Sequence, residues 1–325
     1  MDLFTHIVLG ASVGGLVASK HIGNKAIFLG AFLGLIPNFD MLITPFVDSI
    51  HGLFIRRGFS HSIFLFLILS PILALGLRKI FKTTEYSLAK WTKFVFIILL
   101  SHSILDVFTV YGTGLLEPFY SKRFAMSSIA VVDLFFTIPL LITVLLALKV
   151  KQLRHKSILS WFGIFLAGLY LSFTFLNKLY IQSEFEKKLL QQDIRFQSTE
   201  IFPVLGSNFL WNCVAQDRDG FWMCYETNFS KHNFEPQLYM RNDYYIFDFE
   251  NDDRIQKLKT FSKGYYVCQK LENGDVILHD LRFGKMGLSP NAPFVMSFKI
   301  RNSEGIINYI ENIPIPYKLL LEKYL

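Results

Sequence analysis

The chain has 325 residues, is 52% hydrophobic with 34 Phe, and carries a formal net charge of +7; its mean hydropathy is +0.36. That apolar excess lies well above a soluble globular average and points to a membrane protein. The positive charge could suit nucleic acid, but the basic residues cluster in short loops between apolar runs, and no basic stripe interleaved with aromatics argues for such a partner.

The apolar excess fills residues 1–180, while 181–325 read as a mixed-polarity region rich in Asp, Asn and Tyr. The N-terminal MDLFTH lacks the basic n-region of a secretory signal, so the first apolar segment is expected to stay with the chain. Six apolar segments follow in order, at about 3–19, 26–37, 62–80, 91–108, 129–148 and 157–180. The last four approach the roughly 20 residues that a helix needs to cross a bilayer. The first two are shorter and carry Gly10/Gly14 and Gly30/Gly34, small-xxx-small pairs that let helices pack closely. They either span with local thinning or form a re-entrant hairpin. In both cases the chain returns to the side on which it began.

Positive charges set the expected orientation. Lys20 and Lys25 lie between segments one and two, Arg78, Lys79, Lys82, Lys90 and Lys93 between three and four, and Lys149, Lys151, Arg154 and Lys156 between five and six. The positive-inside bias assigns these connections to the cytoplasm. The opposite, extracytoplasmic face of the inner membrane then holds the N-terminus, the 37–61 loop, the outer end of segment four and the 107–128 loop.

Five ionisable residues gather on that face without having entered the charge argument: His6, Asp40, His61, His102 and Asp106. Apolar surroundings make each expensive unless it is paired or ligating. His102 and Asp106 are four apart, so a helix puts them on one face, able to share an ion. The plainer reading is a His–Asp hydrogen bond inside a bundle, but within a membrane segment an ionisable residue is a functional candidate by default. Asp40, in PNFD, is either a turn residue or a hard oxygen ligand. His61 closes RRGFSHS, where Arg57 and Ser60 are the candidate catalytic residues. Ser60 is alternatively an N-cap, and Arg56 and Arg57 interfacial anchors, whereas the functional reading has an arginine gripping a phosphate beside a metal-bound imidazole.

HIVLG at 6–10, PNFD at 37–40, RGFSHS at 57–62, HSILD at 102–106 and GTGLLEPF at 112–119 together resemble the membrane-bound metal-dependent hydrolase family, which includes LexA-binding, inner-membrane-associated hydrolases. The resemblance covers roughly the first half of the chain. It implies a divalent metal, zinc first with manganese or magnesium as alternatives, held by His6, Asp40, His61, His102 and Asp106, with Arg57 as the substrate anion clamp. Asn38 stands where the family has an Asp and Arg56 where it often has a His, which weakens the case for two tightly held ions. Glu117, Arg123 and Asp133 lie on the same expected face and could assist or be interfacial charges. His21 and His155 fall in basic connections and are expected to be solvated; His51 is an auxiliary ligand or simply exposed; His232 and His279 belong to the second domain.

Residues 183–325 are expected to form a small β-rich (α+β) extracytoplasmic domain after the polytopic α-helical membrane domain of 1–182. It opens with a helix at 183–192, then shows strand signals at 244–250, 264–271, 275–283 and 294–300, with Asn273-Gly274 as a hairpin turn. Cys213 and Cys224 are either a disulfide or two buried thiols. The sequence therefore suggests a metal-dependent hydrolase at the outer membrane surface, acting on a phosphoester or other ester of a lipid or lipid-linked substrate. The rival is a non-catalytic protein with a structural ion site or an ion-transport role. Impermeant thiol labelling of intact cells tests the orientation: Ser121→Cys should react and Thr84→Cys should be protected, and the reverse pattern would overturn it.

Overall fold

A computed structural model describes residues 1–82, 86–204, 206–227, 235–287, 289, 291–303 and 306–313, so Thr84 and His232 lie outside the described residues. The helices, in chain order, are α1 Leu3–Ile22, α2 Asn24–Leu33, α3 Ser49–Ile55, α4 Ile63–Phe81, α5 Leu88–Val107, α6 Leu134–Lys149, α7 Leu153–Gln191 and α8 Asp253–Phe261. Two compact units result: Met1–Phe46 with Phe54–Phe175, and Val47–Leu53 with Leu176–Leu325. Among the described residues, five segments are long and apolar enough to cross a membrane, namely Leu3–Ile22, Asn24–Phe46, Ile63–Phe81, Leu88–Val107 and Leu153–Gln191. α6 is apolar but shorter, at 16 residues.

Local chemistry sets the ends of the first unit's helices. Asp2 caps α1 by accepting from Thr5 N at 2.9 Å, and Gly23, at φ +59°, ends it. Pro37 has no amide with which to extend the ladder to Leu33, so the helix expected over 26–37 stops at Leu33 and continues as 3₁₀ turns at Ile36–Leu42 and Thr44–Phe46. Ser62, not Ser60, caps α4, accepting from Leu65 N at 3.1 Å. Asp133 caps α6, accepting from Phe136 N at 3.0 Å, so the segment expected from 129 becomes helical only at Leu134.

The glycine pairs act as their spacing suggests. A Cβ on Gly30 would come within 2.9 Å of Gly14 Cα, and one on Gly34 within 2.7 Å of the His6 carbonyl oxygen. Backbone therefore meets backbone where α1 and α2 cross. Trp91, Phe94, Ile98 and Leu99 of α5 fill the core behind them with no exposed surface. On α4, Leu67, Ile68, Ile72 and Leu75 are each more than half exposed, as suits a helix that faces hydrocarbon.

The second unit is α+β. α7 runs unbroken for 39 residues, so the expected boundary at 182/183 and the separate helix at 183–192 fall inside it. Its Ile181, Phe185 and Leu189 pack with Ile201, Trp211 and Ala215. One antiparallel sheet has the order β1 (Ser198–Val204), β2 (Ser207–Gln216), β3 (Gly220–Thr227), β4 (Gln237–Met240). The other runs β5 (Tyr266–Lys270), β6 (Val276–Asp280), β7 (Ser297–Ser303), β8 (Ile306–Asn312). The 264–271, 275–283 and 294–300 signals correspond to β5, β6 and β7, and Gly274, at φ +89°, turns the first hairpin. The 244–250 signal is instead a 3₁₀ helix, Asp243–Phe249, entered through Asn242 in the left-handed region and burying Ile246 and Phe249 at a spacing of three. Cys213 and Cys224 face each other across β2 and β3 as buried free thiols.

The α1–α2 crossing is open to test. Gly30→Leu should destabilise the purified protein by about 1–3 kcal/mol or more, as overpacking does. Gly76→Leu, on α4 with nothing among the described residues within 4 Å of its Cβ position, should leave the melting temperature nearly unchanged. Equal melting temperatures for the two variants would refute the close crossing.

Candidate metal centre

The five ionisable residues that the sequence singles out stand in one buried cluster, each at most 4% exposed. They form two layers. His6, from the second turn of α1, and His102 and Asp106, from the last turns of α5, offer ligand atoms within 4.8 Å of one another. His6 Nε2 lies 3.1 Å from Asp106 Oδ1, and its ring stacks on that of His102 with centroids 3.5 Å apart. His61, from the 3₁₀ turn Phe59–His61, brings its Nε2 to 3.1 Å from His102 Nε2 and 3.4 Å from Asp106 Oδ2. His102 Nε2 is 3.7 Å from the same carboxylate oxygen.

Asp40 stands one layer back, behind His61. Its Oδ2 accepts from Arg57 N at 2.8 Å and from Ser60 Oγ at 2.7 Å, and lies 3.4 Å from His61 Nδ1. Ser60 Oγ is in turn 2.8 Å from His61 Nδ1. Because the Ser60 proton goes to Asp40, its oxygen accepts from His61 Nδ1–H, which leaves His61 Nε2 with a lone pair. His102 Nδ1 lies 2.7 Å from the Gly34 carbonyl, which can only accept, so this ring also presents a bare Nε2. Two imidazole lone pairs thus converge on a carboxylate oxygen that also has Arg57 Nε at 3.2 Å. Among the described residues buried Asp106 Oδ2 makes no hydrogen bond of good geometry, although Arg57 Nε lies 3.2 Å away. Imidazole nitrogens with a carboxylate suit zinc and other divalent first-row ions, and the partners on the far side of the His61 and His102 rings are what a metal-binding histidine needs, whereas His6 Nδ1 has no hydrogen-bond partner among the described residues.

Arg57 lies inside the cluster and not at a mouth. It is 3% exposed, with its backbone at φ +56°. Its Nε lies 3.2 Å from Asp106 Oδ2, Nη1 donates to Thr109 Oγ1 at 2.7 Å and Nη2 to the Met1 carbonyl at 3.2 Å. The Met1 α-amino group also contacts Asp106 Oδ1. The guanidinium that the sequence suggests as an anion clamp is therefore engaged with protein acceptors and balances the Asp106 charge. Arg56 lies over the Tyr111 ring.

The remaining candidates stand apart from the ligand set. Glu117 and Arg123 form a loop ion pair at 4.0 Å, and Arg123 Nη1 donates to the Arg56 carbonyl at 2.9 Å. Burial raises the Glu117 carboxyl above its ordinary pKa, against the lowering pull of Arg123. Asp133 caps α6 and accepts from Tyr170 Oη at 3.0 Å. His51 belongs to the second unit, where it pairs with Asp48 and lies 3.0 Å from Lys257 Nζ. His279, on β6, lies 2.7 Å from Ser297 Oγ. His21 and His155 are exposed, as solvated residues should be. Sequence reasoning did not single out Thr109 or the Gly34 carbonyl; the second was within reach, because the glycine pair that brings α2 against α1 also exposes that carbonyl to α5.

Long apolar helices with a polar cluster at one end define an integral membrane protein. Residues 1–181 match the family model described as YdjM inner membrane protein, and the chain belongs to that family. Inner membrane protein YbcI of Escherichia coli (strain K12) is 32% identical over 125 residues, which is 38% of this chain and 70% of that protein. Uncharacterized protein YfhP of Bacillus subtilis (strain 168) is 29% identical over 145 residues, 42% of each chain. No solved structure matches.

Metal stoichiometry measured on detergent-purified protein checks the centre. Wild type should carry a divalent ion, His102→Ala should lose it while remaining inserted, and His155→Ala should keep it, since loss of one ligand removes most affinity from so small a set. A metal-free wild type that His102→Ala merely destabilises would show that the cluster is a hydrogen-bond network.

Proposed function

We propose that this protein is a membrane-bound, metal-dependent hydrolase acting at the membrane surface on a phosphoester or other ester of a lipid or lipid-linked substrate. The observation that carries this reading is the convergence of bare His61 and His102 Nε2 atoms with His6 Nε2 on the Asp106 carboxylate. These four residues would hold the ion. When bound, a divalent ion would supply Lewis acidity and make water nucleophilic near neutral pH.

The chain's own residues do the positioning. Ser60 and Asp40 hold the His61 ring through Nδ1, and the Gly34 carbonyl holds His102. Arg57 neutralises Asp106 in the resting arrangement. An arriving phosphate oxygen would compete with the Met1 carbonyl for its Nη2, and so gain a charge-assisted bond as charge develops. The turns that carry Asp40 and His61 also present Phe39, Leu42 and Phe59, and the turn between them Phe46, each at least 46% exposed. Apolar side chains around a polar cluster suit a substrate that arrives from the bilayer. The extracytoplasmic orientation is part of this reading and rests on the distribution of positive charge.

Full burial of the donors favours a second reading, a structural ion site with no turnover. A hydrolysis screen of membrane lipid extract and soluble phosphoesters, with metal-loaded wild type, separates the two. Hydrolysis should be abolished in His102→Ala and reduced about 10–100-fold in Ser60→Ala, the scale of losing an outer-shell partner. Tightly held metal without hydrolysis of any lipid or phosphoester would decide for the structural ion.

A further inference from the structure

A second polar feature sits toward the opposite end of α5 from the histidine cluster. A groove of about 680 Å³ opens between α4 and α5, with Leu67, Leu88 and Phe96 on its apolar walls. Three polar side chains line it, Ser70, Thr92 and Lys93. Ser70 is 1% exposed, and its Oγ has no hydrogen-bond partner among the described residues. A buried hydroxyl left without a partner in an apolar wall is costly, so it marks a place for a ligand that can accept or donate. Pro71, inside α4, has no amide to donate to the carbonyl of Leu67, another residue that lines the groove. Lys93 is exposed at the groove, nine residues before His102, or about 14 Å along the helix at 1.5 Å per residue. Lys90 stands on the same first turns of α5. The volume is in the range of small-molecule and lipid sites.

We propose that this groove binds an anionic phospholipid, with its phosphate against Lys93 and Thr92 and an acyl chain along Leu67, Leu88 and Phe96. Charge selects the occupant: the basic end of α5 calls for a negative headgroup, while apolar walls beside a membrane-spanning helix call for a chain and not a free anion. The site is separate from the metal centre and does not depend on the proposed hydrolysis.

Native mass spectrometry of the full chain in detergent, with phosphatidylglycerol or phosphatidylcholine added, tests the proposal. Wild type should retain phosphatidylglycerol in preference to phosphatidylcholine. Lys93→Ala should weaken retention about fivefold, the equivalent of about 1 kcal/mol for one surface cation, and Lys93→Arg should restore it. Ala89→Trp, which fills the groove, should abolish retention, and Lys151→Ala, an exposed cation outside it, should have no effect. Lys93 is exposed, so its replacement leaves the fold intact even if the tryptophan variant does not fold. Equal retention of both lipids by wild type, or phosphatidylglycerol retention that survives Lys93→Ala undiminished, would overturn the assignment.

Discussion

The start of α1, the turn before α4 and the end of α5 are arranged around one buried carboxylate. Asp106 has no exposed surface, and an isolated charge there would be far too costly to keep ionised. Its neighbours answer that cost: Arg57 Nε at 3.2 Å, His6 Nε2 at 3.1 Å and the Met1 amino group on Oδ1. Those contacts tie the start of α1 and the turn before α4 to the last turn of α5. An apolar bundle alone would have little reason to fix these elements in register, because hydrocarbon does not drive helices together as water does. Polar pairing at the end and glycine contact along the α1–α2 crossing supply that register between them.

The second layer explains why the turns have the sequences they do. PNFD gives a Pro that stops α2 and an Asp that the next turn can reach. RRGFSHS places Arg57 in the left-handed region, and its backbone amide then points at Asp40, three residues before Ser60 takes up the same oxygen. One carboxylate thereby holds both the arginine turn and, through Ser60, the histidine. The strain of a non-glycine residue at φ +56° is tolerated because Arg57 is held by four separate contacts.

Much of the membrane half was legible because its signals are local or periodic. Apolar runs, small-xxx-small pairs and the four-residue spacing of His102 and Asp106 each translate directly into helix geometry. The division of the five candidates into a convergent set and a supporting Asp40 was not legible, since it depends on which way turns point after Pro37 and Gly58. Arg57 shows the same limit: its type suggests a clamp, but only the fold reveals that Asp106, Thr109 and Met1 already occupy it. In the second unit, β1 and β2 are hard to see in the sequence because Pro203, Asn208 and Asn212 interrupt their apolar pattern, while the aromatic 244–250 run mimics a strand that Asn242 turns into a 3₁₀ helix.

The contrast between the two ends of α5 bears on how such a helix can serve a membrane protein. One face of it packs inward, with Trp91, Phe94, Ile98 and Leu99 fully buried, while Leu88, Lys93 and Phe96 on its other side line the groove against α4. Such packing holds the helix rigidly, and rigidity is what a convergent ligand set requires, because small displacements of a ligand atom cost affinity. α4, by contrast, is exposed along one side and interrupted by Pro71, and it lends His61 only through the short turn that precedes it. The histidine least anchored by helix packing is thus the one that Ser60 and Asp40 support most heavily. That compensation holds the position of His61 Nε2 fixed, which is what the proposed metal centre would need of it.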